Sequence, residues 1–372
     1  MSLHQILSTG RSSLLAHQAA ITISSNNTAN ADVQGYSKRD VRFESLGNNA
    51  GVDIASVRRR SDQWIDRRLF LEHSRLGAQS AQSQVLTALD MQLGNLDRGV
   101  GASLDRFFAA LRTLQTSPAD GQLRTDVFAE AQNVVESFNV ASTTIAKERQ
   151  QADDTLKSAV SRANTLLQEV ATLNQSIRQT LADGREPNDD MDRRDVVLAE
   201  LAEHIDISVV DPGDGSLTVL LGGGRSLVQG ADATTISTAP DPARGGLSSV
   251  RVTDPSGLAS EVTDEIGGGR IGGLLELRDG IVAETGDRLD RLAFDFATAF
   301  NTVHRAGFGT DGVSGRDFFA QPTTTVGAAR SLALAPGMAT SPAWFAASTT
   351  AANAVGGNDN VLALAEIGRA HV

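Results

Sequence analysis

The chain predicts a mainly α protein with an inserted β domain, and three observations carry that prediction. Apolar residues at Leu156, Ala159, Ala163, Leu166, Val170, Leu173 and Ile177 step 3,4,3,4,3,4 without a break. That is the heptad spacing of a helix packed in a bundle. Hydrophobic residues make up 40% of the 372, yet aromatics only 4%. A chain rich in Ala, Leu, Val, Gln and Ser suits helices packed side by side better than a core of large rings. Between residues 205 and 265 the texture changes to short apolar runs separated by Gly and Pro turns, which read as strands. The expected architecture is a rod-like bundle of long heptad-patterned helices carrying a small β-rich domain.

The elements follow in order. Residues 3 to 23 predict an amphipathic helix, with Leu3, Leu7, Gly10, Leu14, His17 and Ile21 on one stripe and Ser, Thr, Gln and Arg opposite. Gly10 costs roughly 1 kcal/mol relative to Ala, so the helix is weak alone. Its stripe has no partner nearby in sequence, and a terminal helix of this kind stays disordered until another surface covers it. Ser24, Ser25, Asn26, Asn27 and Asn30 compete for backbone hydrogen bonds and predict its end. Gly35 can turn the chain, and two extended segments follow, one holding Tyr36, Val41 and Phe43 and one reading GVDIASVRRR. Arg58, Arg59, Arg60, Arg67 and Arg68 alternate with Asp62 and Asp66, as a solvated helix start would.

From 62 to 115 the pattern is helical. Trp64, Ile65, Leu69, Leu76, Leu86, Leu89, Leu93 and Leu96 form its stripe, interrupted near 93 to 103 and resumed at Leu104, Phe107, Phe108, Leu111 and Leu114. Ser117-Pro118-Ala119-Asp120 breaks and restarts the helix. The longest helix then covers 121 to 182, roughly 90 Å at about 1.5 Å per residue, and Gly184 and Pro187 stop it. Asn188 or Asp189 caps a short helix over 190 to 204. A return helix carries Ile271, Leu274, Leu275, Ile281, Leu289, Leu292, Phe296, Phe300 and Val303. The expected domains are 1–60 (terminal helix, junction and strands), 61–204 (long helices), 205–265 (β insertion), 266–306 (return helix), 307–357 (loop and short strands) and 358–372 (the start of a helix that is cut off).

Charge narrows the function. Thirty-three basic against 45 acidic residues give a net charge of −12, which opposes broad nucleic-acid binding and adhesion to an anionic membrane. No apolar run approaches the ~18 residues of a membrane span, and the N-terminus lacks the form of a cleavable signal peptide. Without cysteine there is no thiol chemistry and no disulfide. No two of His4, His17, His73, His204, His304 and His371 have zinc-ligand spacing; His17 reads as a packed or interfacial residue. Asp189, Asp190, Asp192 and Asp195 lack the glycine and glutamate of a calcium loop and read as helix caps. Glycines 222–224 read as a hairpin turn and 267–269 as a hinge, with no phosphate-loop lysine after either. No catalytic residue, metal or cofactor is assigned, and the reading is of a protein that is not an enzyme.

The stretch SSNNTANADVQGYSKRDV, residues 24 to 41, resembles the N-terminal pattern of flagellar rod, hook and junction proteins. Ser24, Asn26, Asn27, Asn30, Gly35 and Tyr36 sit on its Ser-x-Asn-Asn-x-x-Asn and Gly-Tyr positions. QWIDRRLF, NDDMDRRDVVLAELAEHIDISVV, RIGGLLELRD, LAFDFATAFNTVHRAGFGTDGVSGRDFF and GGNDNVLALAE narrow the likeness to the flagellar hook-associated protein 1 family, over roughly residues 2 to 366. The resemblance implies a structural protein outside the cell, exported unfolded by the flagellar type III apparatus without signal cleavage. It implies a ring or tube of copies between hook and filament, with the hook protein and a second junction protein as neighbours. The family ends in two further long helices, whose last part pairs with the N-terminal helix and whose end meets an export chaperone. This chain is expected to be truncated before them, since IGRAHV matches nothing there. Leu3, Leu7, Leu14 and Ile21 are then the expected assembly residues, and Ser24, Asn26, Asn27, Asn30, Gly35 and Tyr36 the junction. Leu156, Leu166, Val170, Leu173, Ile177, Leu289, Leu292, Phe296 and Phe300 are the expected bundle packing. The rival readings are another hook or rod protein, a secreted coiled-coil adhesin, and an enzyme housed in the β insertion.

Overall fold

A computed structural model describes residues 3–47, 51–93, 99–254 and 256–368. The chain opens with helix α1 (Leu3–Ala29) and an antiparallel hairpin, β1 (Arg39–Leu46) and β2 (Gly51–Arg59), in which Arg39 pairs with Arg59 and the register shifts once between Arg42 and Phe43. Helices α2 (Gln63–Leu93), α3 (Val100–Thr116), α4 (Gly121–Ala182) and α5 (Asn188–His204) follow. The β insertion holds two antiparallel sheets. One orders β3 (Ile207–Val210), β4 (Thr218–Leu221), β5 (Ser226–Gln229) and β6 (Asp232–Ala233); the other orders β7 (Thr235–Pro240), β8 (Ser248–Thr253) and β9 (Ala259–Glu261). Helix α6 (Gly269–Glu276), a π-helical turn (Leu277–Ile281), α7 (Val282–Ala306), α8 (Ala328–Ser331) and α9 (Asp359–Ile367) complete it. The fold is mainly α with a β insertion. The chain divides into two compact units, the first Met1–Gln82 with Asp153–Leu275, the second Ser83–Ala152 with Glu276–Val372.

In the second unit the core is built from rings. Phe107, Phe296, Phe300, Phe318 and Phe319 are buried; Phe107 meets the other four at centroid separations of 5.4 to 6.2 Å, and Phe318 lies 4.9 Å from Phe319. Phe138 on α4 stacks against Phe296 at 6.4 Å. Two polar side chains of α7 tie the loop after it into this core. Asn301 Oδ1 accepts the Phe318 and Phe319 N–H groups at 2.9 and 3.0 Å, and its Nδ2 donates to Phe319 O at 2.8 Å. His304 is fully buried, with Nδ1 on Arg316 O at 2.8 Å and Nε2 accepting the Ala346 N–H at 3.0 Å. The bonds require the Nδ1–H tautomer, and burial pushes the ring's pKa down to about 4.

The first unit uses few rings and many side-chain amides. On α4, Asp153 accepts from Ser248 N and Oγ at 2.9 and 3.0 Å. Asn164 exchanges both bonds with the backbone of Ile236, at 2.7 and 2.8 Å. Asn174 donates to Leu217 O and Gly230 O at 2.8 Å and accepts Leu217 N–H at 3.0 Å. Each side chain stands in for a neighbouring strand and satisfies edge backbone groups that would otherwise be buried unpaired.

Several sequence expectations are corrected here. Helix α1 runs to Ala29, past the polar stretch, because Thr28 Oγ1 and Asn30 Nδ2 bond back to the carbonyls of Ser24 and Asn26 at 3.1 and 2.9 Å instead of competing with the helix. The heptad residues Leu156, Leu166, Val170, Leu173 and Ile177 are buried, but their cover includes α5 and both sheets rather than long helices alone. On α7, Phe296 and Phe300 pack into the ring core with the first half of α4, beside half-buried Leu289. Leu292 faces solvent, because the buried row steps through Ala293, Phe296 and Phe300. The stripe assigned to α2 is largely its solvent face: Trp64, Ile65, Leu69 and Leu76 are exposed, while Phe70, Ser74 and Ala81 are buried. Leu96 and the final residues 369–372 lie outside the described residues. Arg59 ends a strand and does not start a helix. Of the glycines at 267–269, Gly267 is open while Gly268 and Gly269 are closely packed: Gly269 holds φ +66° and a methyl there would strike the backbone of Ile205.

Candidate assembly interface

Three elements of the first unit meet at the end of α1. Asn27 sits at the centre. Its Oδ1 accepts the Arg39 N–H at 2.9 Å and the Tyr36 hydroxyl at 2.8 Å, and its Nδ2 donates to Arg39 O at 2.9 Å. The carboxamide thus exchanges both bonds with one residue of β1, as an extra strand would, and fixes where the hairpin leaves the helix. The Arg39 guanidinium lies 5.3 Å from the Tyr36 ring centroid.

Arg39 then reaches α5. It pairs with Asp189 and lies 3.5 Å from Asp192; Arg59, opposite it on β2, pairs with Asp195 and lies 3.3 Å from Asp192. Asn188 Nδ2 donates to Val57 O at 2.7 Å. The aspartates therefore do not cap α5. Its N-cap is Pro187, with no side-chain cap bond, and Asp190 instead accepts from Ser176 Oγ at 2.6 Å. Gly35 closes the arrangement: at φ +84°, a methyl there would overlap Val196 Cγ2 of α5. Ser24 and Asn26 stay on the helix and Asn30, just past its end, bonds back to Asn26 O; none of the three takes part in the clamp.

Helix α1 turns small residues to the hairpin. Ala16 is buried, and Thr9 and Ser12 lie against Gly51. The other face is bare. Leu3, Leu7, Leu14 and Ile21 are 64–76% exposed, joined by Ile6 and Leu15. His17 lies on this row and its ring is 5.5 Å from Phe43. Leu3, Leu7, Gly10, Leu14, His17 and Ile21 step 4,3,4,3,4, so this is an open coiled-coil seam. The terminal helix packs on its own hairpin, while the seam itself is uncovered.

Among the described residues no group of three or more His, Asp or Glu is placed to hold a metal, and no described helix is long and apolar enough to cross a membrane. Arg39, Arg59, Asp192, Asp195 and Asn188 were not singled out as partners by sequence reasoning. The available signal was complementary charge: arginines at 39 and 58–60 and aspartates at 189–195.

A clamped helix displaying an uncovered apolar heptad row, on a mainly α scaffold without a metal cluster among its described residues, has the form of a structural scaffold protein. Residues 86–319 match the family described as the flagellar hook-associated protein FlgK helical domain, and the chain belongs to that family. It is 26% identical over 326 residues to flagellar hook-associated protein 1 of Escherichia coli K12, covering 85% of this chain and 60% of that one. The Salmonella typhimurium protein of the same name is 28% identical, covering 83% and 58%, and that of Bacillus subtilis 27%, covering 84% and 69%. The chain thus spans about 60% of the length of the enterobacterial relatives. The structure of the flagellar hook junction protein FlgK from Burkholderia pseudomallei shares the fold, with a TM-score of 0.62 at 23% identity, over 70% of this chain and 46% of that one.

Proposed function

We propose that this chain is a non-enzymatic structural component of the bacterial flagellum, placed outside the cell between hook and filament after export without signal cleavage. Its neighbours are then further copies of itself, the hook protein and a second junction protein, with an export chaperone engaged beforehand. The observation that carries this reading is the open heptad seam of Leu3, Leu7, Leu14 and Ile21 on a helix whose other face is already occupied. Burying such a seam against a second helix releases about 25 cal/mol per Å² of apolar area. The Asn27–Arg39 clamp and the ion pairs to α5 would set the direction in which the seam is offered. Family membership and the names of the relatives support the flagellar setting.

The test is the double substitution Leu7→Asp with Leu14→Asp in the full-length protein, supplied to cells lacking it. Filament retention and swimming should fall to the level of the deletion, while the circular dichroism of the purified protein stays unchanged. Wild-type swimming with both aspartates in place would reject the seam as an assembly surface.

A further inference from the structure

The first unit contains a partly enclosed cavity of about 240 Å³ that the assembly reading does not use. Its floor is apolar, formed by Phe70, Met191, Leu198 and Leu217, and its walls carry opposed charges. Most of those charges are committed. Arg59 pairs with Asp192 and Asp195, and Asp211 accepts the Gly213 N–H at 2.8 Å. Three groups have capacity left. Arg194 is 5% exposed; its Nη1 donates to Asn174 Oδ1 and Gly215 O at 2.9 and 2.7 Å, but its buried Nε–H meets no acceptor. Among the described residues, Asp66 and Arg67, which also line the cavity, have no ion-pair partner.

We infer that this cavity binds a free α-amino acid with an aliphatic side chain. Its carboxylate would take the Arg194 and Arg67 donors, its ammonium the Asp66 carboxylate, and its side chain the apolar floor. A guanidinium meets a carboxylate in planar, paired geometry, and a buried donor without an acceptor is costly until a ligand supplies one. Burial and the nearby Asp195 hold the Asp66 carboxyl above its usual range, and burial holds Arg194 down to about 10. An ammonium beside Asp66 and a carboxylate beside Arg194 would relieve both. The cavity has room for one residue-sized molecule and not for a peptide.

Isothermal calorimetry on the intact chain tests this with L-leucine, L-methionine, leucinamide and 4-methylpentanoate. At least one of the two amino acids should bind, and the two analogues, which lack one charge each, should bind at least tenfold more weakly. Asp66→Asn should weaken the amino acid tenfold or more while leaving the wild-type circular dichroism. Absence of heat from both amino acids at 10 mM ligand, or analogues that bind as well as the amino acids, overturns the proposal. The analogue pair decides the matter on the wild-type chain even if the Asp66→Asn variant fails to fold.

Discussion

The two units solve the same packing problem with different chemistry. Of thirteen phenylalanines, all but Phe43 and Phe70 lie in the second unit, and nine of them fill its buried core. The first unit holds its hairpin and sheets to its helices through Asn27, Asp153, Asn164, Asn174 and the arginine–aspartate pairs. Ring burial is nondirectional and scales with area. A carboxamide that pairs with one strand residue fixes position and register at the scale of a single bond. The second unit therefore draws its stability from ring burial, while the first adds to its buried aliphatic residues a set of directional bonds that fix where its β elements sit on the helices.

That contrast can be broken most sharply at Phe300. Truncation to Ala should cost about 3–5 kcal/mol, read as faster hydrogen exchange at residues 107–138 and 296–304. A loss under about 1 kcal/mol by the same large-to-small measure would mean the rings do not carry that unit. Acid gives the next largest effect. His304 has a pKa of about 4 in the fold, below the ordinary 6.5, so its contribution is present above pH 6.5 and drains away between pH 6.5 and 4. The second unit should lose about 3 kcal/mol over that window, since protonating Nε2 removes the acceptor of the Ala346 N–H.

Asn27→Ala should follow, at about 1–3 kcal/mol for the orphaned partners. Exchange should quicken in residues 39–59 and stay slow at 156–177. The smallest effect has the opposite sign to that of His304. Burial raises the Asp206 carboxyl to about 6, its Oδ1 being buried without a hydrogen-bond partner. Its ionisation therefore penalises the first unit above pH 6, and the penalty disappears as pH falls toward 4. Asp206→Asn should stabilise that unit by roughly 1 kcal/mol at pH 7.5, after allowance for partial solvent exposure, and by nothing near pH 4. Parallel acid responses of the two units would remove the electrostatic half of the contrast.

Local pattern made the helices legible. The run from Leu156 to Ile177 gave α4 its position, and Pro118 and Pro187 marked breaks that the structure keeps. The strands of the insertion showed as β-branched runs between glycines. What stayed hidden depends on distance along the chain. Asn164 and Asn174 look like ordinary helix-surface residues until Ile236 and Leu217 arrive beside them. Asp192 reads as a cap until Arg39 and Arg59 occupy it. On α2 the apolar residues of the solvent face outnumber those of the buried side, so periodicity alone points to the wrong face. For the interface, the row on α1 was visible as periodicity, whereas the partition of the Asn-rich motif was not. Asn27 and Tyr36 form the clamp, while Ser24, Asn26 and Asn30 finish the helix.

Tyr36 is the chain's one tyrosine, and the two tryptophans are Trp64, 81% exposed on α2, and Trp344, with the Arg316 guanidinium 4.6 Å from its ring centroid. Each chromophore lies in a different local setting, and none belongs to the buried phenylalanine core, which is nearly silent at the wavelengths that excite them. Ultraviolet resonance Raman of the tyrosine therefore reads one hydroxyl, the one given to Asn27, with no background from a second phenol. The state of the clamp can be followed in the unlabelled protein, including while copies of it associate.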